Sequence, residues 1–454
     1  MNTFKFGTDG IRGVVNRDLT IDKAYQLGCS LALFLLEEID KPVVVIGEDT
    51  RNSCAMLKSA VISGLLSYGV TCINLGVVTT PALAFITKIK KANAGVMITA
   101  SHNSFEYNGF KIFDKKGCKI DIKTSLVLER YAMILNNFKP KDAGDIGKLL
   151  ENKKAINKYV NHLKRKIRNN KYKVCFDCSN GTTNYIISKL FGNDLIVLGN
   201  SIDGNLVNNN CGATKIEVLR NKMMTSNFDV GFAFDGDGDR IIAVSKSGKV
   251  IDGDEILYIL AKYLKDKNKL RHSTVVGTIV TNYGVEKSLN RIGVELVRQQ
   301  VGDKFIHLEM KKKGYVLGGE QSGHIIIGGE TTTGDGVLTA ISILNIMNEL
   351  DCDLDVLCKD IIKFSQYSIN VPIKFENKDY IIQNYEFNEY LKRLEDELSY
   401  TGRILVRPSG TENLIRILIE GENMQVCEKC AKSIENKIIA LNIWYLFAIF
   451  DWIC

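Results

Sequence analysis

Three aspartates in the middle of the 454-residue chain have the type and spacing of ligands for a divalent cation. Asp235, Asp237 and Asp239 alternate with glycines in FDGDGDR, so their carboxylates project to one side of an extended loop. Oxygen ligands of this kind suit Mg²⁺ or Ca²⁺. An EF-hand is excluded, because Arg240 and Lys246 stand where its loop needs glycine and glutamate. A solvated acidic turn is the alternative, but three like charges so close together are costly without a cation.

A serine lies where open α/β sheets place their ligands. The segment TASHN, which contains Ser101, follows directly after the strand-like run AGVMI (94–98), and such sheets bind ligands beyond the carboxyl ends of their strands. Serine is a poor nucleophile unless a base, a metal or a charged neighbour assists it. A triad with histidine and aspartate stays open, although this serine is not in a GxSxG turn. A serine that only caps a turn is the alternative.

A third segment near the C-terminus has the groups that grip a phosphate. RPSGT (407–411), with Arg416 further along, offers guanidinium groups, hydroxyls and backbone N–H groups to an oxyanion. A Walker A motif is absent, because the GK pairs at Gly147 and Gly248 are followed by Leu and Val. The phosphate is therefore expected on a sugar or a similar metabolite. A simple turn is the alternative.

A fourth segment, GGEQSGH (318–324), suits a ligand rich in hydroxyl groups. Glu320, Gln321 and Ser322 supply hydrogen-bond acceptors and donors in a glycine-rich loop. Lys304, in VGDKF, adds a cation nearby in the sequence.

Short β-branched runs alternate with helical patterns through most of the chain, which predicts α/β layers with mostly parallel sheets. The predicted strands are 42–46, 94–98, 173–176, 229–234, 241–244 and 273–280, and the clearest helices are Ala24–Ile39, Ala55–Tyr68 and Glu255–Leu264. The last part, with strands at 403–407 and 413–419 and a helix from about Met424, predicts a smaller α+β unit.

Each of the four segments falls in its own predicted domain. We place the serine loop in an α/β domain at 1–145, the metal loop in one at 155–250 and the sugar loop in one at 251–362. The phosphate loop lies in a C-terminal α+β domain at 366–442, and an apolar tail follows at 443–454.

Composition narrows the class of partner. Hydrophobic residues make up 45% and charged residues 24%, which excludes a disordered or fibrous chain. A formal charge of +7 is a mild excess at this length, so it predicts no nucleic-acid partner and fits an acidic small molecule. The opening residues show no export signal, so we expect a cytoplasmic protein with reduced thiols.

Two further features, the CxxC pairs and the apolar C-terminal end, are expected to form neither a metal site nor a membrane span. The CxxC pairs Cys175/Cys178 and Cys427/Cys430 have no histidine nearby, and we interpret them as thiols instead of a shared zinc site. The apolar end, 438–454, is short for a membrane span and lacks basic residues after it, so no membrane partner is expected.

Taken in order, the serine, metal, sugar and phosphate loops resemble those of the α-D-phosphohexomutase superfamily. The opening FGTDGIRG (6–13), the pair Glu320-Gln321 and TTTGDG (331–336) are most similar to the branch that acts on glucosamine phosphates. The resemblance covers essentially the whole chain apart from the apolar tail.

The resemblance implies three α/β domains with mixed sheets and a smaller C-terminal α+β domain around one central cleft. It implies an Mg²⁺-dependent intramolecular phosphotransferase of the isomerase class, a monomer or homodimer, that interconverts glucosamine 6-phosphate and glucosamine 1-phosphate. The reaction would pass through phosphoserine at Ser101 and glucosamine 1,6-bisphosphate, on the way to UDP-N-acetylglucosamine. One Mg²⁺ per chain would be held by the three aspartates and a phosphate oxygen on Ser101.

The resemblance also assigns roles to individual residues, with Lys111 or His324 available for proton transfer. The reaction centre would contain Arg12, Ser101, His102, Lys111 and Arg240; the sugar would contact Lys304, Glu320, Gln321, Ser322 and His324; and the non-reacting phosphate would contact Arg407, Ser409, Gly410, Thr411 and Arg416. Cations are required, because two dianionic phosphates roughly 6 Å apart repel by about 11 kcal/mol at an effective dielectric constant of ~20.

Three positions depart from the superfamily pattern. Ser104, Ile202 and Asn413 stand where proline is common, so each position loses a rigid φ but no catalytic group. Alternative functions are a phosphomannomutase/phosphoglucomutase, an Mg²⁺-dependent phosphatase, and an inactive sugar-phosphate-binding protein.

Overall fold

The structure, a computed structural model, describes residues 3–192, 196–373, 378–398, 401–409 and 412–453, with side chains as far as 442. The chain forms two compact units. The first comprises residues 1–280 and 293–359, and the second comprises 281–292 and 360–454. Among these described residues, the first unit contains three sheets and the second contains one.

The first sheet has six strands in the order β1-β5-β4-β2-β3-β6. Its strands are β1 (Ile11–Val14), β2 (Val43–Glu48), β3 (Thr71–Val77), β4 (Ala94–Ile98), β5 (Tyr107–Asp114) and β6 (Leu149–Glu151), and its helices are α1 (Ile21–Leu36), α2 (Cys54–Ser67), α3 (Thr80–Ile89) and α4 (Ile122–Met133). The strands β2, β3, β4 and β6 run parallel, and β5 runs antiparallel to both β1 and β4. All of β4 is buried, as its unbroken apolar sequence predicts. The strand β6 lies between the predicted segments 1–145 and 155–250.

The second sheet is also mixed, in the order β11-β10-β9-β7-β8. Its strands are β7 (Val174–Asp177), β8 (Ile196–Leu198), β9 (Val230–Phe234), β10 (Ile241–Ser245) and β11 (Val250–Ile251), accompanied by the helices α5 (Ile156–Lys164), α6 (Thr183–Phe191) and α7 (Glu217–Thr225). Because β9 and β10 pair antiparallel from Phe234 opposite Ile241, the three aspartates lie in the turn that joins two buried strands.

The third sheet has the order β13-β12-β14-β15. Its strands are β12 (Thr274–Thr278), β13 (Glu295–Gln299), β14 (Leu317–Gly319) and β15 (Ile325–Ile327), and the helices of this segment in the first unit are α8 (Gly253–Asp266), α10 (Asp303–Lys313), α11 (Gly336–Leu350) and α12 (Leu354–Leu357). The helix α9 (Tyr283–Arg291) belongs to the second unit. A capping box formed by Asp252 and Glu255 begins α8. The segment 320–324 is the turn between β14 and β15, which pair antiparallel.

The second unit is built on an antiparallel sheet in the order β16-β18-β17. Its elements after α9 are β16 (Ser365–Pro372), α13 (Lys378–Gln383), α14 (Tyr385–Leu398), β17 (Gly402–Pro408), β18 (Leu414–Gly421) and α15 (Met424–Ile453). Alternate residues of β18 share a buried core with residues on one face of α15, where Cys427, Ala431, Ile434 and Ile438 follow helical spacing. The predicted tail, 443–454, begins inside α15.

The predicted fold class, three α/β domains with mixed sheets and a smaller C-terminal domain, is confirmed. Most predicted strands begin within a residue of the observed ones. The helix predicted at Ala24–Ile39 instead begins at Ile21, because the Thr20 side chain accepts a hydrogen bond from the Lys23 amide and caps the helix there.

The cysteines of the two CxxC pairs, Cys175, Cys178, Cys427 and Cys430, are buried free thiols. None of the helices in the described part of the chain is long and apolar enough to cross a membrane.

Candidate active site

Ser101 lies at the carboxyl end of β4 with its side chain fully buried. Its Oγ donates a hydrogen bond of 2.5 Å to Oδ2 of Asp235, and its amide donates one of 2.8 Å to Oγ1 of Thr99. Its φ is +53°, in the left-handed region that non-glycine residues adopt at a cost in free energy. The serine loop and the metal loop, 134 residues apart in sequence, are therefore in direct contact.

The metal loop gathers its carboxylates as the spacing predicted. Asp235, Asp237 and Asp239 are fully buried, and one oxygen from each lies within 4.8 Å of the others. Among the described residues, Oδ1 of Asp237 has no hydrogen-bond partner. Three buried carboxylates with an oxygen left over match the oxygen ligands that Mg²⁺ and Ca²⁺ take, so the residues present fit a divalent cation.

A lysine and an arginine contact this carboxylate cluster. The Nζ of Lys111, on β5, lies 2.8 Å from Oδ2 of Asp237 and 2.5 Å from Oδ2 of Asp239. The Nε of Arg240 lies 3.8 Å from Oδ2 of Asp235. Buried charges need partners at this range, and these contacts provide them.

The pKa values follow from burial and from these neighbours. Burial raises the pKa of Asp235 to about 7, with Asp239 and Asp237 adding to the increase. Burial also opposes the charged form of Lys111, but Asp237 and Asp239 outweigh it and raise the lysine pKa well above its usual value. Lys111 is therefore an ammonium ion here, and the negative charge on Asp235 is less favourable than on an ordinary carboxylate.

The sugar loop is joined to the metal loop through a histidine. His324 places Nε2 2.9 Å from Oδ1 of Asp239 and Nδ1 3.1 Å from Oε2 of Glu320. Burial opposes its charged form, but Asp239 outweighs this and the pKa rises to about 10. Gly323 has a φ of +93°, and a Cβ there would lie 2.1 Å from the carbonyl oxygen of Ile241, so this close approach requires glycine.

His102 and Arg12 are the other two residues predicted for the reaction centre. Burial, together with the positive charges of Arg240 and Arg12, lowers the pKa of His102 to about 3, so this imidazole is neutral. The guanidinium of Arg12 donates to Asp9 at 2.5 Å and to the side chain of Asn103 at 3.0 Å.

The other residues predicted to bind the sugar are Gln321, Ser322 and Lys304. The Nε2 of Gln321 lies 3.4 Å from Oδ2 of Asp252, at the beginning of α8. Ser322 is exposed. Lys304, in the first turn of α10, lines a small depression that it shares with Asp9 and Lys111.

Three residues that link parts of the reaction centre by ion pairs were assigned no role from the sequence. They are Asp9, Lys119 and Asp303. Lys119 forms ion pairs with Asp9 and, at 2.8 Å, with Asp303, and Asp9 in turn binds Arg12. Asp9 lies in the segment FGTDGIRG (6–13), and this segment could have indicated its role. Asp303 lies in VGDKF, a segment noted only for Lys304, whereas Lys119 has no local motif. The two residues meet only through the fold.

In the second unit, the predicted phosphate loop brings two arginines face to face. Arg407 and Arg416 are direct cross-strand partners on β17 and β18. Burial lowers the pKa of Arg407, and the charge of Arg416 lowers it further. Like charges directly opposite on a sheet are unfavourable, so this pair is suited to bind an anion.

Hydrogen bonds hold the part of that loop around Ser409 and Glu412. Oγ of Ser409 accepts a hydrogen bond from the Glu412 amide at 3.2 Å, and Lys378 donates to the carbonyl oxygens of both residues. Gly410 and Thr411, also predicted to bind phosphate, lie outside the described residues.

Comparison with known proteins identifies the family. Profiles of the phosphoglucomutase/phosphomannomutase family match domain I at 3–134, domain II at 157–248, domain III at 252–364 and the C-terminal domain at 370–437. A phosphoglucosamine mutase of Finegoldia magna is 41% identical over 438 residues, which cover 95% of this chain and 97% of that protein. The chain belongs to the phosphoglucosamine mutase family. It is therefore an enzyme of the phosphohexose mutase type, as the four loops predicted.

Solved structures share the fold over 96% or more of this chain. A phosphoglucomutase/phosphomannomutase family protein from Burkholderia thailandensis superimposes with a TM-score of 0.78 at 21% identity, covering 96% of both chains. The N-acetylphosphoglucosamine mutase of Aspergillus fumigatus, solved in complex with GlcNAc-6P and magnesium, gives a TM-score of 0.66 at 16% identity, covering 97% of this chain and 96% of that one.

Proposed function

We propose that this enzyme interconverts glucosamine 6-phosphate and glucosamine 1-phosphate, with Ser101 as the carrier of the phosphoryl group. The observation that carries the proposal is the contact of Ser101 Oγ with Asp235, 2.5 Å away in the buried cluster of three aspartates. Serine is a poor nucleophile without help from a base, a metal or a charged neighbour. A divalent cation held by the three aspartates would lie beside this hydroxyl and supply that help.

Asp235, Asp237 and Asp239 would hold the metal, together with an oxygen of the phosphate on Ser101. Bound Mg²⁺ supplies positive charge that stabilises negative charge on the transferring phosphoryl group. Arg12, Lys111 and Arg240 supply further positive charge at the reaction centre, and the raised pKa of Lys111 keeps it cationic. Phosphoryl transfer needs mainly this positioning and charge.

The two half-reactions balance through Ser101. In the first, the bond from phosphorus to Ser101 Oγ breaks and a bond to the free sugar hydroxyl forms, giving glucosamine 1,6-bisphosphate. In the second, Ser101 Oγ takes the other phosphoryl group, and the product hydroxyl is released. The proton lost by the attacking hydroxyl in each half-reaction is returned to the leaving oxygen. Lys111 and His324 are the two candidates that the resemblance offers for this proton transfer, and both lie at Asp239.

The phosphate that does not react is assigned to the loop of the second unit. Arg407 and Arg416 would neutralise it, and the loop 409–411 would donate hydrogen bonds from hydroxyl and backbone groups. Holding a second phosphate distinguishes a mutase from a phosphatase, since a phosphatase has no need to bind both ends of a bisphosphate.

Substrate choice is assigned to the sugar loop. Glucosamine 6-phosphate is cationic at C2, where glucose and mannose phosphates carry a neutral hydroxyl, and the carboxylate of Glu320 would attract the ammonium group. Lys304, Gln321 and Ser322 complete the proposed sugar contacts. Phosphorylated hexosamines are the only proposed partners, and the cytoplasm is the proposed location.

A coupled assay on three hexose phosphates tests this proposal. We expect kcat/KM for glucosamine phosphate to exceed that for glucose phosphate by at least about tenfold, or roughly 1.4 kcal/mol in transition-state binding. Gln321→Met should narrow the difference without destroying catalysis. If mannose or glucose phosphate is the better substrate, the enzyme is a phosphomannomutase/phosphoglucomutase instead.

A further inference from the structure

The carbonyl groups of the serine loop converge on one buried arginine. Arg51 lies between β2 and α2 with a fully buried side chain, and its Nε pairs with Asp49 at 2.9 Å. Its two terminal nitrogens donate to the backbone oxygens of the serine loop, and the acceptors are Ser101 (3.0 Å), Asn103 (2.8 Å), Tyr107 (3.1 Å) and Ser104. One planar guanidinium therefore fixes the path of the backbone from Ser101 to Tyr107.

A residue from the second sheet's segment binds two of the same carbonyl groups. The Nδ2 of Asn208 donates to the oxygen of Ser101 at 2.8 Å and to that of Asn103 at 2.9 Å, and Asn208 is buried. The packing around this contact is close, since a Cβ on Gly236 would lie 2.8 Å from the Ser101 oxygen and 3.1 Å from Asn208 Nδ2.

Fixing these oxygens also fixes the reactive side chain. Ser101 has the left-handed φ of +53°, which a serine keeps only when its surroundings hold it. In a trans peptide the N–H points opposite to the C=O, so holding the Ser101 oxygen directs the His102 N–H away from Arg51. Ser104 stands where the superfamily commonly has proline, so this loop lacks that source of rigidity.

We propose that Arg51 and Asn208 are positioning residues that hold Ser101 for phosphoryl transfer in both half-reactions. The proposal rests on the proposed function of Ser101 as the carrier. Neither side chain touches the reacting atoms in this scheme. Each acts through the loop backbone by keeping Oγ beside Asp235, where a displacement of about 1 Å can cost about a hundredfold in rate.

The decisive variant is Asn208→Ala, because it removes two hydrogen bonds to the loop and leaves the Arg51–Asp49 ion pair in place. We expect kcat to fall by at least about tenfold, while KM for the sugar phosphate and half-saturating Mg²⁺ change by less than about twofold. Asn52→Ala is the matched control. Its Nδ2 bonds to Asn205 Oδ1 at 3.0 Å, so it also joins the first and second segments but does not touch the serine loop. Its kcat should stay within about twofold of the wild type.

Arg51→Lys provides a second variant that keeps a cation beside Asp49 but loses the planar fork. Its kcat should also fall by at least about tenfold at unchanged KM. Thermal unfolding of all variants, with kcat expressed per folded enzyme, separates positioning from stability. A lowered unfolding midpoint with wild-type kcat in both Asn208→Ala and Arg51→Lys would overturn the proposal.

The rate at which Ser101 is phosphorylated distinguishes a failure of the positioning role from a failure of the proposed function. Wild-type protein incubated with glucosamine 1,6-bisphosphate should gain one phosphate by intact mass, and Asn208→Ala should gain it at least about tenfold more slowly. Equal rates would overturn the positioning role alone. A wild-type protein that neither gains phosphate nor turns over would instead overturn the proposed function.

Discussion

The serine loop and the phosphate loop of the second unit are both proposed to bind phosphate, but they are held in different ways. Arg51 binds the serine loop with a side chain of zero exposure, paired to an equally buried Asp49. In the phosphate loop, the Arg416–Glu412 pair keeps 38% and 56% of its side chains exposed. A loop that forms and breaks a covalent bond needs a fixed nucleophile, whereas a loop that binds and releases a ligand needs cations that remain accessible.

The first way to test this contrast is to remove the carrier hydroxyl. Ser101→Ala should abolish turnover, because no other hydroxyl contacts Asp235 in the described structure. The wild type should contain a population one phosphate heavier by intact mass, and the variant should lack it. Ser104→Ala, three residues later and exposed, is the control and should keep its activity. Near wild-type turnover of Ser101→Ala would rule out the covalent scheme.

The second change acts on the metal loop. Asp237→Asn replaces one of three clustered carboxylates, so Mg²⁺ affinity and turnover should both fall by about a hundredfold or more while the fold is kept. Mg²⁺ titration of activity and circular dichroism provide the measurements. Asp266→Asn, an exposed aspartate at the end of α8, should behave as the wild type. Full activity of the wild type in EDTA would contradict the metal assignment.

The third change acts on the phosphate loop and should affect binding more than the chemical step. Arg416→Gln removes one guanidinium from the cross-strand pair, so KM for the sugar phosphate should rise by about tenfold, equivalent to the ~1.4 kcal/mol of a charge-assisted hydrogen bond. Arg393→Gln, on the exposed face of α14, is the control. A fall in kcat at constant KM would show that this loop positions the reacting group, which would remove the contrast between the two loops.

The part of this site that could be predicted is the part whose functional groups lie close together in the sequence. The aspartates 235, 237 and 239 are separated by single glycines, so one short segment carries the whole cluster. The α/β layers followed in the same way from periodicity, because buried strands such as β4 are continuous apolar runs. Periodicity predicted mostly parallel sheets, whereas the mixed sheets that the structure shows were implied only by the resemblance.

The residues that support the site could not be predicted, because their partners are far away in sequence. Arg51 contacts a loop some 50 residues later, and Lys119 reaches Asp303 across 184 residues. Neither residue belongs to a local pattern of chemical groups. The same limit applies to Gln321, whose hydrogen bond to Asp252 is set by the packing of the sugar loop against the beginning of α8.

The smallest expected effect comes from Ser104→Pro, which gives the serine loop the ring common in the superfamily. Proline lowers the conformational entropy of the unfolded chain, so the free energy of unfolding should rise by about 0.4–1 kcal/mol where the native backbone accommodates it. Among the described residues, the Ser104 amide donates no backbone hydrogen bond, so the proline removes none from the backbone of the loop.

Catalysis in Ser104→Pro should change by less than about twofold, because Arg51 and Asn208 already hold the loop. In the Asn208→Ala background the same proline should recover part of the lost kcat, since it replaces rigidity that the asparagine supplied. Thermal unfolding midpoints and kcat for the two single variants and the double variant measure both effects. Equal kcat for Asn208→Ala with and without the proline would show that the asparagine sets the direction of the loop and not its stiffness.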